Sequence, residues 1–176
     1  MAIPIRHSDA SRVVAEARTF FVTSSIAEKR NLLQSHRSAG LFISVLYDYR
    51  AQLKFRLHEF VVMPDHFHLL LTVDSDMTIE RAVQFIKGGF AFRAGRVGFG
   101  SPVWQKGFSE VRVLDGEAYL GIAEYIRNNP VRRGLVFEAA EFPHSSAHAK
   151  FELDPAPQGL KPIGFGLANG MAKAMP

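Results

Sequence analysis

Two β-rich runs, LKFRLHEFVVM and HFHLLLTV, are separated only by Pro64 and Asp65. That spacing constrains the fold more than any other feature of the chain. Strands joined by so short a turn must pair antiparallel, because a parallel crossover needs a dozen residues or more. Whatever else the chain builds, it builds around this hairpin.

The segments on either side alternate in type. Ala17 to Thr23 (ARTFFVT) is rich in β-branched and aromatic residues and reads as a strand. From Asn31 to Leu53, apolar residues recur at spacings of three and four (Leu32, Leu33, Ala39, Phe42, Val45, Leu46, Tyr49, Leu53), which predicts a long amphipathic helix. A second helix is expected after Asp76 as N-cap, with Ile79, Val83, Ile86 and Phe90 on one face. Pro102 to Leu114 reads as a strand or extended segment. A third helix is expected from about Glu117 and should stop near Asn129, because Pro130 disfavours a helical conformation in the residue before it. The order β-α-β-β-α-β-α predicts an α+β, ferredoxin-like antiparallel sheet with helices on one face, plus an extra C-terminal helix. Residues 1–151 are expected to form one domain. The Pro/Gly-rich stretch 152–176 reads as an irregular C-terminal tail.

Composition excludes several function classes. The 176 residues include no cysteine, so disulfide scaffolds, thiolate metal sites and cysteine nucleophiles are all ruled out. No apolar run reaches the roughly 18 residues that cross a bilayer. The N-terminus MAIPIRHSDA lacks the apolar block of a signal peptide, so a cytoplasmic location with no membrane partner is expected. Lys and Arg outnumber Asp and Glu by 21 to 17, a balance that permits nucleic acid as partner without requiring it.

Three groups of residues could carry chemistry. His66 and His68 lie two apart on a predicted strand, so both imidazoles point to one face and Phe67, Leu69, Leu71 and Val73 to the other. Two converging neutral imidazoles make half of a divalent metal site, although a bare His-x-His is more often two polar residues on a solvated sheet face. Tyr125 and Asn129 share a helical face at i and i+4. A positioned phenol can attack a phosphodiester and an amide oxygen can complete a metal shell, but taken alone the pair reads more simply as a core tyrosine and a helix-ending asparagine. Lys87, Arg93 and Arg96 fall among glycines and phenylalanines in IKGGFAFRAGR, where cations could follow a phosphate backbone or merely be solvated. Arg132 and Arg133 pose the same choice. Trp104 reads as a packing residue, and His7, His36, His58, His144 and His148 form no ligand-like group in the sequence.

Read together, VVMPDHFHLLLTV, IKGGFAFR, VWQKGF and YIRNNPVRRGLV, in that order, resemble the REP-associated tyrosine transposases. These are relatives of the single-tyrosine insertion-sequence transposases of the HUH nuclease superfamily. The resemblance spans about Arg18 to Ser146. It implies that His66 and His68 are metal ligands and that Tyr125, on the extra helix, is the nucleophile. Asn129, where the insertion-sequence branch has glutamine, is the implied further ligand. The implied cofactor is Mg²⁺ or Mn²⁺. The implied activity is single-strand DNA nicking and strand transfer on hairpin-forming DNA through a 5′-phosphotyrosine, by a monomer or homodimer. Lys87, Arg93 and Arg96 are the expected DNA contacts. The sequence departs from the family pattern at Val111, where the family often has histidine. Two other readings stay open: a non-catalytic nucleic-acid-binding module, which would present aromatic residues on its sheet, and a phosphodiesterase in which metal-bound water attacks.

Overall fold

The structure is a computed structural model that describes residues 16–160. Strand β1 (Arg18–Ser25) is followed by helix α1 (His36–Ala51), the hairpin β2 (Arg56–Val62) and β3 (His66–Val73), helix α2 (Ile79–Arg96), strand β4 (Ser109–Val113) and helix α3 (Gly116–Arg132). Short 3-10 turns lie at Ala27–Lys29 and Ala139–Glu141. The sheet order is β2-β3-β1-β4, with every pairing antiparallel. This is the expected ferredoxin-like arrangement.

Side-chain alternation in β3 divides the molecule into two cores. Phe67, Leu69, Leu71 and Val73 join Phe42, Leu46, Ile86 and Phe90 of α1 and α2 in the larger one. Within it Phe42, Phe67 and Phe90 each contact the indole of Trp104, with ring centroids 5.4–5.8 Å apart. Burying each such ring stabilises the fold by roughly 1.5–3 kcal/mol. On the opposite face Val61, Met63, Leu70 and Val113 pack against Tyr119, Ala123 and Ile126 of α3. The extra helix therefore covers the face that α1 and α2 leave open, the same face to which His66 and His68 point. The free edge of β2 is covered by the segment around Ser145, with Val62 N–H bonding His144 O and Ser146 N–H bonding Phe60 O.

Several boundaries differ from the sequence reading. Helix α1 begins after Ser35, whose hydroxyl accepts Ser38 N–H at 3.1 Å. The preceding segment turns instead, and Leu33 N–H bonds Pro64 O. Helix α2 is capped by Thr78 rather than Asp76, because the Thr78 hydroxyl accepts Arg81 N–H while residues 74–77 close a turn of their own. Only Ser109–Val113 of the expected 102–114 strand is in the sheet, although Trp104 makes an isolated bridge to Ile26. Helix α3 does not stop at Asn129. Pro130 sits inside its last turn, where it forfeits a single N–H, and the ladder resumes with Arg133 N–H on Asn129 O. Of the tail, residues 152–160 contain no helix or strand, and Asp154 joins Arg50 and Leu57 N–H. The rest of the tail lies outside the described residues, as does His7.

Candidate active site

The site forms where the start of β3 meets the end of α3. His66 and His68 are each 6% exposed, with ring centroids 4.8 Å apart. Tyr125, half-buried, stands beside His68 at 5.5 Å between ring centroids. Phe21 of β1 stacks on His68 and meets Tyr125 edge-on, so three rings fix one another. Asn129 follows one turn later on the same helical face and is 5% exposed. Its side-chain oxygen is buried with no hydrogen-bond partner. A buried amide oxygen left unsatisfied is costly, on the order of 1–3 kcal/mol, and such an atom fits a ligand.

Each imidazole is held through Nδ1. His66 Nδ1 lies 2.6 Å from Asp65 Oδ1; a carboxylate can only accept, so Nδ1 carries the proton and Nε2 keeps a lone pair. His68 Nδ1 lies 2.7 Å from the Thr23 hydroxyl, and in the tautomer where that hydroxyl accepts, His68 Nε2 keeps its lone pair as well. Thr23 and His68 are direct partners in the β1–β3 register. Two imidazole nitrogens and one amide oxygen are too few donors for a closed structural site and suit a catalytic divalent ion better. Among the described residues there is no cluster of three or more His, Cys, Asp or Glu that could hold a metal. The unpartnered amide oxygen of Asn129 is a further oxygen donor on the helix that carries Tyr125.

Helix α3 is fixed to the sheet by charge as well as packing. Arg127, two residues after Tyr125, pairs with the buried Glu59 of β2, whose other oxygen accepts the Ser146 hydroxyl at 2.5 Å. The Arg132 guanidinium lies 5.4 Å from the centre of the Tyr125 ring.

Electrostatics keep the imidazoles neutral. Burial pushes His68 down to about 3, helped by His66 and Arg133 and opposed by Asp65. His66 is also lowered, first by burial and then by Arg133 and Lys29, against the pull of Asp65. Burial, with His36 and Lys150, brings His144 down to about 4. These groups bind protons more readily when unfolded, near pH 6.5. Their stabilising effect is therefore complete above that pH and is lost as pH falls toward the folded values. The unfolding free energy should accordingly fall below about pH 6.5, by on the order of 1 kcal/mol per pH unit for each buried histidine, and the urea midpoint should drop with it between pH 7 and pH 5. The lowered carboxyls Asp65 and Asp154 act only further into acid. An unchanged midpoint over that interval would contradict the buried, neutral state of these rings.

The sequence-derived residues do not all meet. His66, His68 and Tyr125 come together, with Asn129 one turn beyond Tyr125 on the same helical face, whereas Lys87, Arg93 and Arg96 lie on α2, which packs against the other sheet face. Lys87 Nζ donates to Gly107 O at 2.6 Å and Gln105 O at 3.2 Å, bracing the loop before β4. Arg93 pairs with Asp48 of α1, and Arg96 lies over the Phe92 ring. Val111 stands opposite Phe21 in the β1–β4 register, on the site's face, and is 52% exposed. Asp65, Thr23 and Phe21 were missed by sequence reasoning. Asp65 alone had a signal, its place directly before His66. The structure also joins His36 and His144, 2.9 Å apart across 108 positions, which spacing could not show.

With this geometry in hand, three comparisons identify the kind of protein. The chain is 27% identical over 157 residues to the REP-associated tyrosine transposase of Escherichia coli K12, covering 89% of each. It is 29% identical over 114 residues to a Haemophilus influenzae relative that carries the same family name, covering 57% of this chain and 65% of that one. A solved structure of a REP-associated tyrosine transposase bound to a REP hairpin shares the fold, with a TM-score of 0.62 at 23% identity over 94% of this chain and 99% of that one. The family model for IS200-like transposases matches residues 18–129, from the first residue of β1 through the whole of the His66–His68–Tyr125–Asn129 site, and the chain belongs to that family.

Proposed function

We propose that the protein is a divalent-metal-dependent endonuclease and strand-transferase for single-stranded, hairpin-forming DNA, using Tyr125 as nucleophile. The observation that carries this reading is the contact of Tyr125 with His68, the unsatisfied oxygen of Asn129 following one turn later on the same helix. His66 Nε2, His68 Nε2 and Asn129 Oδ1 would hold Mg²⁺ or Mn²⁺. Bound there, the ion supplies charge neutralisation at the phosphate oxygens. Tyr125 Oη attacks the scissile phosphorus as its phenolic proton leaves. A bond from phosphorus to Tyr125 forms, the bond to the 3′ oxygen breaks, and that oxygen leaves as a 3′-hydroxyl after taking a proton. The 5′-phosphotyrosine conserves the broken bond, so a later 3′-hydroxyl can reverse the step without nucleotide triphosphate.

Hairpin DNA as partner is supported by the relative solved with a REP hairpin and by the REP-associated family of the E. coli relative. The binding-module alternative needs an open sheet face, whereas α3 covers one face and α1 with α2 the other. No helix among the described residues is long and apolar enough to cross a membrane.

Incubation with end-labelled single-stranded hairpin DNA and Mn²⁺ tests the proposal. The expected result is a covalent protein–DNA species that survives denaturing electrophoresis, with the label on the 5′ side of the cut released. Cutting with no covalent species would favour attack by water instead.

A further inference from the structure

Two cations flank the histidine pair, and neither belongs to the nucleophile or to the metal ligands. Lys29 sits in the 3-10 turn directly after β1, and Arg133 caps the end of α3. Both are exposed. Among the described residues, Arg50, Arg56, Arg93 and Arg127 each lie against a carboxylate. Lys29 and Arg133 have no carboxylate within ion-pair distance among those residues.

The turn that carries Lys29 is held in an uncommon conformation. Glu28 and Lys29 both have left-handed backbone, at φ 59° and 55°, although neither is glycine. Consecutive residues of this kind are strained and persist only where their surroundings impose them. Here the surroundings do so: Ile26 N–H bonds Asp65 O, Ala27 N–H bonds Val103 O, and Leu33 N–H bonds Pro64 O. The turn is thereby fastened to the β2–β3 connection that carries His66. Lys29 Nζ donates to the Ser25 hydroxyl at 2.9 Å, and Ser25 is the direct partner of His66 in the β1–β3 register. Arg133 approaches from the other element, its N–H bonding Asn129 O one turn beyond the proposed ligand.

Lys29 is thus tied to the His66 end of β3 through Ser25, and Arg133 to the end of α3 that carries Asn129. Two exposed cations without a carboxylate partner, brought by two different elements to a phosphodiester-cleaving site, match a polyanionic strand. We infer that Lys29 and Arg133 form a phosphodiester-binding site beside the histidine pair, one from the turn after β1 and one from the end of α3, and hold the DNA backbone at the reaction centre. This rests on the single-strand DNA reading above and adds the residues that carry the strand.

The test measures binding apart from chemistry. In the Tyr125→Phe background, affinity for a labelled single-stranded hairpin oligonucleotide is followed from 50 to 200 mM salt for the parent, Lys29→Gln, Arg133→Gln and the double variant. Each lost phosphate contact on a single strand should flatten the slope of log affinity against log salt by about 0.7, and the pair by about 1.4. Lys29→Arg should restore the parent slope, and Arg56→Gln, paired with Asp74 at the far end of the sheet, should leave it unchanged. Slopes equal to the parent in both single variants would overturn the inference, as would an equal loss in Arg56→Gln. A wild-type protein that makes no covalent adduct would remove the nicking mechanism, while the slopes alone decide the phosphate site.

Discussion

Replacement of Tyr125 by phenylalanine is expected to abolish strand cleavage and the covalent adduct while hairpin binding persists. The substitution removes one oxygen and keeps the ring that Phe21 and His68 contact and that lies beside Arg132. Stability should fall by no more than about 1.5 kcal/mol, the scale of one hydrogen bond. Metal binding should be retained, since His66, His68 and Asn129 are untouched. If water were the attacking group, the phenylalanine protein would still cut and the wild type would form no adduct. Sustained cutting by a folded Tyr125→Phe protein therefore eliminates the tyrosine mechanism, and loss of cutting with unchanged binding supports it.

The features legible in the sequence were those governed by local periodicity. Alternation in HFHLLLTV put His66 and His68 on one face, and the i to i+4 spacing put Tyr125 and Asn129 on another. Neither rule says that the two faces meet. That contact depends on α3 covering the sheet face opposite α1 and α2, a decision made by Leu70, Val61 and Val113 packing against Ala123 and Ile126. The family resemblance supplied the pairing that periodicity could not. The end of α3 differs because the rule for residues before proline treats Pro130 as a barrier. In the last turn Pro130 forgoes one N–H and its ring crowds the preceding turn, yet the helix runs on to Arg132 with that ring buried. The basic residues of α2 were chosen for their neighbours in the chain, yet Arg93 already has a carboxylate partner on α1. Lys29 left no signal in the sequence, and Arg133 stayed undecided between a phosphate contact and a solvated charge, because their links to the site come from a strand register and a helix end, neither of which leaves a short motif.

Removing one imidazole should have the second large effect, and comparing it with removal of its supporting carboxylate separates two roles. His66→Ala deletes a proposed metal ligand outright, so Mn²⁺ affinity should fall by more than about 100-fold and cleavage should drop to background. Asp65→Asn is milder. The asparagine side-chain oxygen can still accept His66 Nδ1–H and hold the ring, but the negative charge that makes Nε2 a better donor is gone. Loss of such a supporting partner costs roughly 10–100-fold in metal affinity. A Mn²⁺ titration of cleavage should therefore move to higher metal for Asp65→Asn and recover at saturation, whereas His66→Ala should not recover at any concentration. Asp65→Asn keeps the side-chain shape and should stay folded, whereas His66→Ala empties a buried position and should lower the unfolding temperature without preventing folding, which thermal unfolding would verify. The proposed metal centre is wrong if His66→Ala cleaves at the wild-type rate with the same metal. If Asp65→Asn matches wild type across the titration while His66→Ala is inactive, His66 still ligates and Asp65 only orients the ring.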